Sequence, residues 1–170
     1  NFESDVDNCL VDGTTVINCT YGFFSQGVTI SAGTAIKFTN FHGENCDTLI
    51  SAYQLYFPVG TTPLTQNILF SNFTGKNCGL LDGAIKFERA TNIGIFNGSI
   101  TNDTSYNSGN IDAFIIGHAN HINIKNVELY GSCTSILNAT PIAGGGADAL
   151  SGFDIDVTHV GTVDSYIDST

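Results

Sequence analysis

A small group of residues in the middle of the chain carries side chains that could move a proton. Arg89 and His118 each stand eight places before an asparagine in a repeated apolar frame, and His121 follows closely. Asp112 stands near them in the sequence and could supply an acid. A basic residue beside a carboxylate is the chemistry of proton abstraction and elimination, so Arg89, His118 and Asp112 are the candidate catalytic residues. The equal offset predicts that Arg89 and His118 are neighbours on successive coils, but nothing in the sequence puts Asp112 on the same surface. We therefore favour the structural alternative, in which Arg89 forms an ion pair and the histidines lie at turns.

The elements that must position these residues share one apolar frame, centred on an asparagine. Around Asn126, apolar residues stand at Ile122 and Ile124 before it and at Val127 and Leu129 after it. Alternation on each side predicts two strand segments, and the change of register predicts a bend at the asparagine, which tolerates a left-handed backbone. The same frame surrounds Asn40, Asn72 and Asn97, with a weaker copy at Asn18.

Unequal spacing between these asparagines, from 22 to 32 residues, combines with a constant core pattern. Constant rungs with variable loops are typical of a solenoid of stacked coils. The segments 92–97 and 121–126 resemble rungs of the right-handed parallel β-helix shared by pectate lyases, polygalacturonases and viral tailspikes. The resemblance implies an all-β, right-handed, single-stranded parallel β-helix. We expect about six coils in one domain over 1–170, with a cap at 1–13, coils at 14–160 and a C-terminal tail at 161–170.

Equivalent positions in the frame predict which side chains stack on one another. Residues five places before the asparagines predict a second polar ladder at the opposite turn. We expect one structural ladder of Asn40, Asn72, Asn97 and Asn126, a second of Asn67, Asn92 and His121, and an internal stack of Phe38, Phe70, Ile95, Ile124 and Ile155. Polar stretches at 101–110 and 134–147 predict protruding loops.

Two of the five cysteines occupy the same place in the frame. Cys46 and Cys78 each follow their asparagine by six residues. In-register neighbours in a parallel sheet are about 5 Å apart, so a disulfide can join them. A Cys9–Cys19 bridge is the second expected pair, which leaves Cys133 as the odd thiol or as a link to another chain. The alternative is a run of reduced core cysteines.

Composition excludes several kinds of partner. The formal charge is −11 and Lys and Arg number only five, which argues against nucleic acid and against tight binding of acidic polysaccharides. The apolar runs are too short to span a membrane. We predict no cofactor and no metal, since Asp154 and Asp156 alone make a weak calcium site and no zinc-type spacing occurs.

Five glycosylation sequons begin at Asn18, Asn72, Asn97, Asn102 and Asn138. This density favours secretion and N-glycosylation over chance. Asn102 and Asn138 lie in predicted loops and are the expected acceptors, whereas Asn18, Asn72 and Asn97 are predicted to be engaged at bends. The chain begins at Asn1 without Met, and we expect a processed chain or a fragment.

Catalytic motifs of polygalacturonase-like enzymes are incomplete here. Those enzymes carry Asn-Thr-Asp, an Asp-Asp pair, Gly-His-Gly and Arg-Ile-Lys, and this chain offers only Asn110-Ile111-Asp112 for the first. Rungs also run close to both termini without an amphipathic capping helix, which favours stacking of subunits. We therefore expect a secreted, glycosylated structural or adhesive surface protein, with self-association into a filament or oligomer. The alternative is a carbohydrate-active enzyme or a glycan-binding spike.

Overall fold

A computed structural model describes residues 9–26, 36–53, 65–79, 83–88, 90–102, 113–117, 120–138 and 151–168. The described residues form strands and turns, with no helix among them, and thus none that could cross a membrane. The strands are β1 (Cys9–Asp12), β2 (Thr15–Ile17), β3 (Tyr21–Gln26), β4 (Ile36–Glu44), β5 (Thr48–Tyr53), β6 (Thr65–Lys76), β7 (Ile85–Glu88), β8 (Ala90–Thr101), β9 (Phe114–Gly117), β10 (Asn120–Tyr130), β11 (Cys133–Asn138), β12 (Ser151–Val160) and β13 (Val163–Asp168).

Two parallel sheets contain all of these strands. The first has the order β1-β4-β6-β8-β10-β12, with β2 also paired to β4, and the second has the order β13-β11-β9-β7-β5-β3. Each long strand therefore pairs with the long strand of the preceding and following coil, never with its neighbour in sequence. This order makes the chain a parallel β-solenoid of about three turns.

Left-handed residues bend the long strands at intervals of five. In one coil these residues are Asn67, Asn72 and Asn77, with φ of 55°, 54° and 51°. Asparagine reaches this region at lower cost than most residues because its amide bonds to nearby backbone. The equivalent residues in the other coils are Gly13, Asn18, Asn40, Asn45, Asn92, Asn97, His121, Asn126 and Gly152, all with positive φ.

The core lies between the two sheets and consists of columns of like side chains. Phe38, Phe70, Ile95, Ile124 and Ile155 pair in register from coil to coil, which confirms the predicted internal stack. The rings of Phe38 and Phe70 stack with centroids 4.5 Å apart and 5° between their planes. Full burial of each such side chain stabilises the fold by roughly 1.5–3 kcal/mol, so every coil depends on the coils beside it.

The solenoid extends beyond the predicted limits at both ends. β1 lies within the predicted cap, and β13 lies within the predicted tail. At the start, Gly13 takes the left-handed position that asparagine holds elsewhere, so an asparagine-based frame misses this coil. Asn18 consequently aligns with Asn45 and not with Asn40, because its side chain accepts a hydrogen bond from Asn45 Nδ2 at 3.2 Å.

The last coil departs from the frame in a different way. Between β10 and β12 the register shifts after Ile124, so that Val127 pairs with Val157 while β12 has one residue fewer. β12 therefore lacks a counterpart of Asn126. The predicted loop at 134–147 is wrong for residues 134–138, which belong to β11, and its remainder lies outside the described residues.

Candidate functional site

A shallow polar groove runs across three coils on the outer surface of the first sheet. It has a volume of ≈ 600 Å³ and opens broadly to solvent. β6, β8 and β10 each contribute the residues at and just after the central bend. Its lining consists of Asn72, Phe73, Thr74, Asn97, Gly98, Ser99, Asn126 and Glu128.

The floor of the groove follows from the bend itself. Asn72, Asn97 and Asn126 are exposed, and the Asn126 amide donates from Nδ2 to Asn97 Oδ1 at 3.2 Å. Gly98 has no side chain at an inward position, and the ring of Phe73 from the preceding coil fills that space. The amide row thus lies above an aromatic core residue, with its remaining polar atoms directed toward solvent.

A row of polar residues two places after each bend forms one wall. Thr74 and Ser99 lie in register within this row, and Glu128 follows Ser99 on the next coil. The same row extends outside the groove to His42 on the preceding coil, and His42 Nδ1 lies 2.5 Å from Thr74 Oγ1. These residues were not singled out from the sequence, although their common offset from the asparagines is a usable signal.

Glu128 supplies the groove with a carboxylate. Its Oε2 accepts a hydrogen bond from the Tyr130 hydroxyl at 2.6 Å, and this bond raises the pKa of Tyr130. Glycoside hydrolysis ordinarily needs a pair of carboxylates, and Glu128 is the one carboxylate among the described lining residues. Amides and hydroxyls in a shallow groove are instead suited to hydrogen bonding with neutral sugar hydroxyls.

The predicted catalytic residues Arg89, Asp112 and His118 lie outside the described residues. His121 is described, and it occupies the left-handed bend five places before Asn126 with φ of 55°. Its column contains Asn67 and Asn92, as the offset predicted, but the three bends lie within long strands of the first sheet and not at an opposite turn. Among the described residues no group of three or more His, Cys, Asp and Glu is placed to hold a metal ion.

The exposure of the sequon asparagines does not follow the order in which they were predicted to be glycosylation acceptors. Asn18, Asn72 and Asn97 are exposed, whereas Asn102 and Asn138 are partly buried. Asn102 directly follows the end of β8, and its Oδ1 accepts a hydrogen bond from the Cys78 amide at 3.1 Å. Asn138 is the last residue of β11. Their modification remains a prediction.

Three cysteines occupy one column at the end of the first sheet. Asp47 N donates to Cys19 O at 3.0 Å and Gly79 N donates to Cys46 O at 3.1 Å, which places Cys19, Cys46 and Cys78 in register on successive coils. None of the five cysteines forms a disulfide in this structure. Burial raises the pKa of Cys78 to about 12. The predicted Cys46–Cys78 and Cys9–Cys19 bridges stay predictions, and Cys46 has Cys19 as a second neighbour.

Comparisons with protein families, with curated proteins and with solved structures give no match for this chain. The strand pairing is therefore the evidence for the fold of this chain.

Proposed function

We propose that this chain is a secreted, glycosylated structural or adhesive protein that stacks end to end with other copies. The observation that supports this most is the position of its exposed apolar side chains. Leu10 and Ile17 are 65% and 51% exposed on the first coil, and Val160 is 55% exposed on β12. Exposed apolar residues concentrated on the end coils are typical of an association surface.

Register gives these residues a specific arrangement. Ile17 and Val160 belong to one column, which passes through Glu44, Lys76, Thr101 and Tyr130. In the middle of this column Glu44 and Lys76 form an ion pair at 2.9 Å, and its ends are apolar. A second copy added in the same register would bring Val160 against Ile17, which replaces two exposed apolar contacts with one buried contact.

Strand edges support the same proposal. Within the described residues, β12 and β13 end their sheets on one side, and β1 and β3 end them on the other. Parallel strands with unpaired backbone groups are templates for another strand, and a contact between unlike ends propagates as a filament. We include in the proposal a right-handed sense and six coils, the latter supported by the six strands that succeed one another in each sheet.

The proposed extracellular location rests on the sequons and on the low content of Lys and Arg. Five sequons in 170 residues and a charge of −11 are compatible with a secreted glycoprotein. The exposed asparagines at Asn72 and Asn97 would place glycans along the groove.

Electron microscopy and sedimentation of the purified chain test the stacking. We expect fibres with an axial repeat near the height of one subunit, and we expect Val160→Lys to abolish them. Thr101→Lys is the matched control, since it introduces the same charge in the same column at a middle coil. Monomers or closed trimers of the unmodified chain would overturn the proposal.

A second candidate function, glycan binding, is favoured by the polar groove. Glu128→Gln should weaken binding of neutral oligosaccharides, measured by calorimetry over a panel of neutral and acidic glycans. Catalysis is distinguished by turnover in the same panel and by its loss in Asp112→Ala. Binding without turnover supports a glycan-binding spike, and no binding to any glycan excludes this candidate.

A further inference from the structure

One histidine stands where the other coils have small or apolar residues. His159 pairs with Leu129, and the equivalent residues of earlier coils are Ile100, Gly75 and Gly43, all buried. Its imidazole Nε2 lies 3.8 Å from the thiol Sγ of Cys133, which begins β11. His159 is thus the titratable residue in a column that otherwise contains glycine, isoleucine and leucine, and its ring lies beside a thiol.

A small pocket adjoins this pair. It has a volume of ≈ 20 Å³, about the size of one water molecule, and Cys133 and His159 both line it. Asn102, Ser132 and Tyr130 provide its polar groups. Cys133 is partly exposed, in contrast to the buried Cys46 and Cys78.

The geometry fixes the position of a proton on the imidazole. Nε2 lies 2.9 Å from the carbonyl oxygen of Gly131, which can only accept, so Nε2 carries a hydrogen and donates it. Protonation at Nδ1 then gives an imidazolium whose Nε2 lies 3.8 Å from Sγ while its hydrogen is donated to Gly131. An imidazolium beside a cysteine stabilises the thiolate, which is the nucleophilic form.

We propose that Cys133 and His159 form a thiolate–imidazolium pair, and that this pair makes Cys133 a site of exchange with small-molecule disulfides. The thiolate attacks one sulfur of the disulfide RSSR, and a new S–S bond forms as the old one breaks. RS⁻ leaves and takes a proton from the imidazolium or from solvent. Cys133 is oxidised and the reagent is reduced, so the electrons balance within the two reactants.

Other thiols of the chain provide the contrast. Cys46 and Cys78 are fully buried, and burial raises the pKa of Cys78 to about 12, so neither offers an accessible thiolate near neutral pH. Of the described residues that line the pocket, Tyr130 is the other titratable group. Its hydroxyl donates to Glu128 and its pKa is raised, so Tyr130 stays neutral when the pair reacts.

Mass spectrometry of the full chain after exposure to oxidised glutathione or to cystamine tests this site. We expect a mixed disulfide at Cys133 whose rate of formation is already substantial at about pH 6, well below the ordinary thiol pKa of about 8.5. The two reagents differ in charge, so agreement between them shows that the thiol, and not attraction of the reagent, sets the rate. Cys133→Ser should remove the modification.

His159→Gln should slow the reaction about tenfold near pH 6 and move its pH profile toward that of an ordinary thiol. His42→Gln is the control, because it changes the same residue type away from Cys133. If His159→Gln does not fold, the pH profile of mixed-disulfide formation in the unmodified chain tests the proposal by itself. A rate that rises only through about pH 8–9, as for a simple thiol, would overturn the proposal.

Discussion

At the residue scale, the asparagines serve the backbone before they serve any ligand. Each bend requires a left-handed residue, and Asn126 satisfies it with φ of 53° while its amide bonds to Asn97. The same atoms form the floor of the groove. A residue needed for folding is thus also a candidate for recognition, and only substitutions that separate these roles can assign them.

Asn126→Ala should destabilise the chain by about 1–2 kcal/mol, because a β-carbon without a compensating amide is strained in the left-handed region. Asn126→Gly should cost less, since glycine adopts this backbone freely and only the amide bond is lost. Thermal or denaturant unfolding measures both, with Thr101→Ala as an exposed strand control. Equal losses for Ala and Gly would show that the amide bond, and not the backbone, is what matters.

Asp12 should contribute to acid sensitivity. Hydrogen bonds from Thr39 Oγ1 at 2.5 Å and Asn40 Nδ2 at 2.8 Å hold the pKa of Asp12 below its ordinary value of 3.8. A lowered carboxyl pKa gives stability that is complete above 3.8 and is lost as the pH falls through the folded value. Asp12→Asn should therefore lose less of its Tm between about pH 6 and pH 3. Asp156→Asn, the same change in charge on an exposed residue of the last coil, should leave the loss as it is.

At the element scale, the alternation of apolar residues was sufficient to predict the long strands and their stacking. The five-residue rhythm of bends was only half visible, because Asn45 and Asn77 follow polar or mixed segments that resemble loops. Gly13 takes the place of an asparagine in the first coil, and the shortened β12 has no counterpart of Asn126, so the asparagine frame is incomplete at both ends. The groove was not predictable, since its wall residues Thr74, Ser99 and Glu128 share an offset but no residue type.

Gly98 packs directly against the ring of Phe73, so a larger residue at this position should destabilise the fold. A β-carbon there would lie 2.0 Å from Cε1 of Phe73, so Gly98→Ala should cost about 1–3 kcal/mol through overpacking. Phe73→Val should relieve that clash, giving a favourable coupling of at least about 1 kcal/mol in a double-mutant cycle measured by denaturant unfolding.

Gly13→Ala provides the comparison for this cycle. Nothing lies within 4 Å of a β-carbon at Gly13, but its φ of +66° is unfavourable for alanine. Its cost should be independent of Phe73→Val. Equal coupling at both glycines would mean that Phe73 acts on the whole fold and not on the space beside Gly98.

At the scale of the whole molecule, charge and apolar ends oppose one another. A charge of −11 makes copies of the chain repel, while the apolar column ends favour contact. Repulsion between surfaces extends about 30 Å at 0.01 M salt and about 8 Å at 0.15 M, and apolar burial is not weakened by this screening. Assembly by the proposed contact should therefore increase as salt is raised over this range.

Ile17→Lys separates the two contributions. It makes the chain less negative, so it would promote assembly if repulsion alone decided the outcome. Because it also removes the apolar side chain that would meet Val160, we expect weaker assembly than the unmodified chain at both 0.01 M and 0.15 M salt, measured by sedimentation velocity at matched concentration. Thr101→Lys changes the charge equally in a middle coil and should assemble at least as well as the unmodified chain. Assembly that weakens as salt rises would instead identify ion pairs as the contact, and the apolar column ends would then have no part in it.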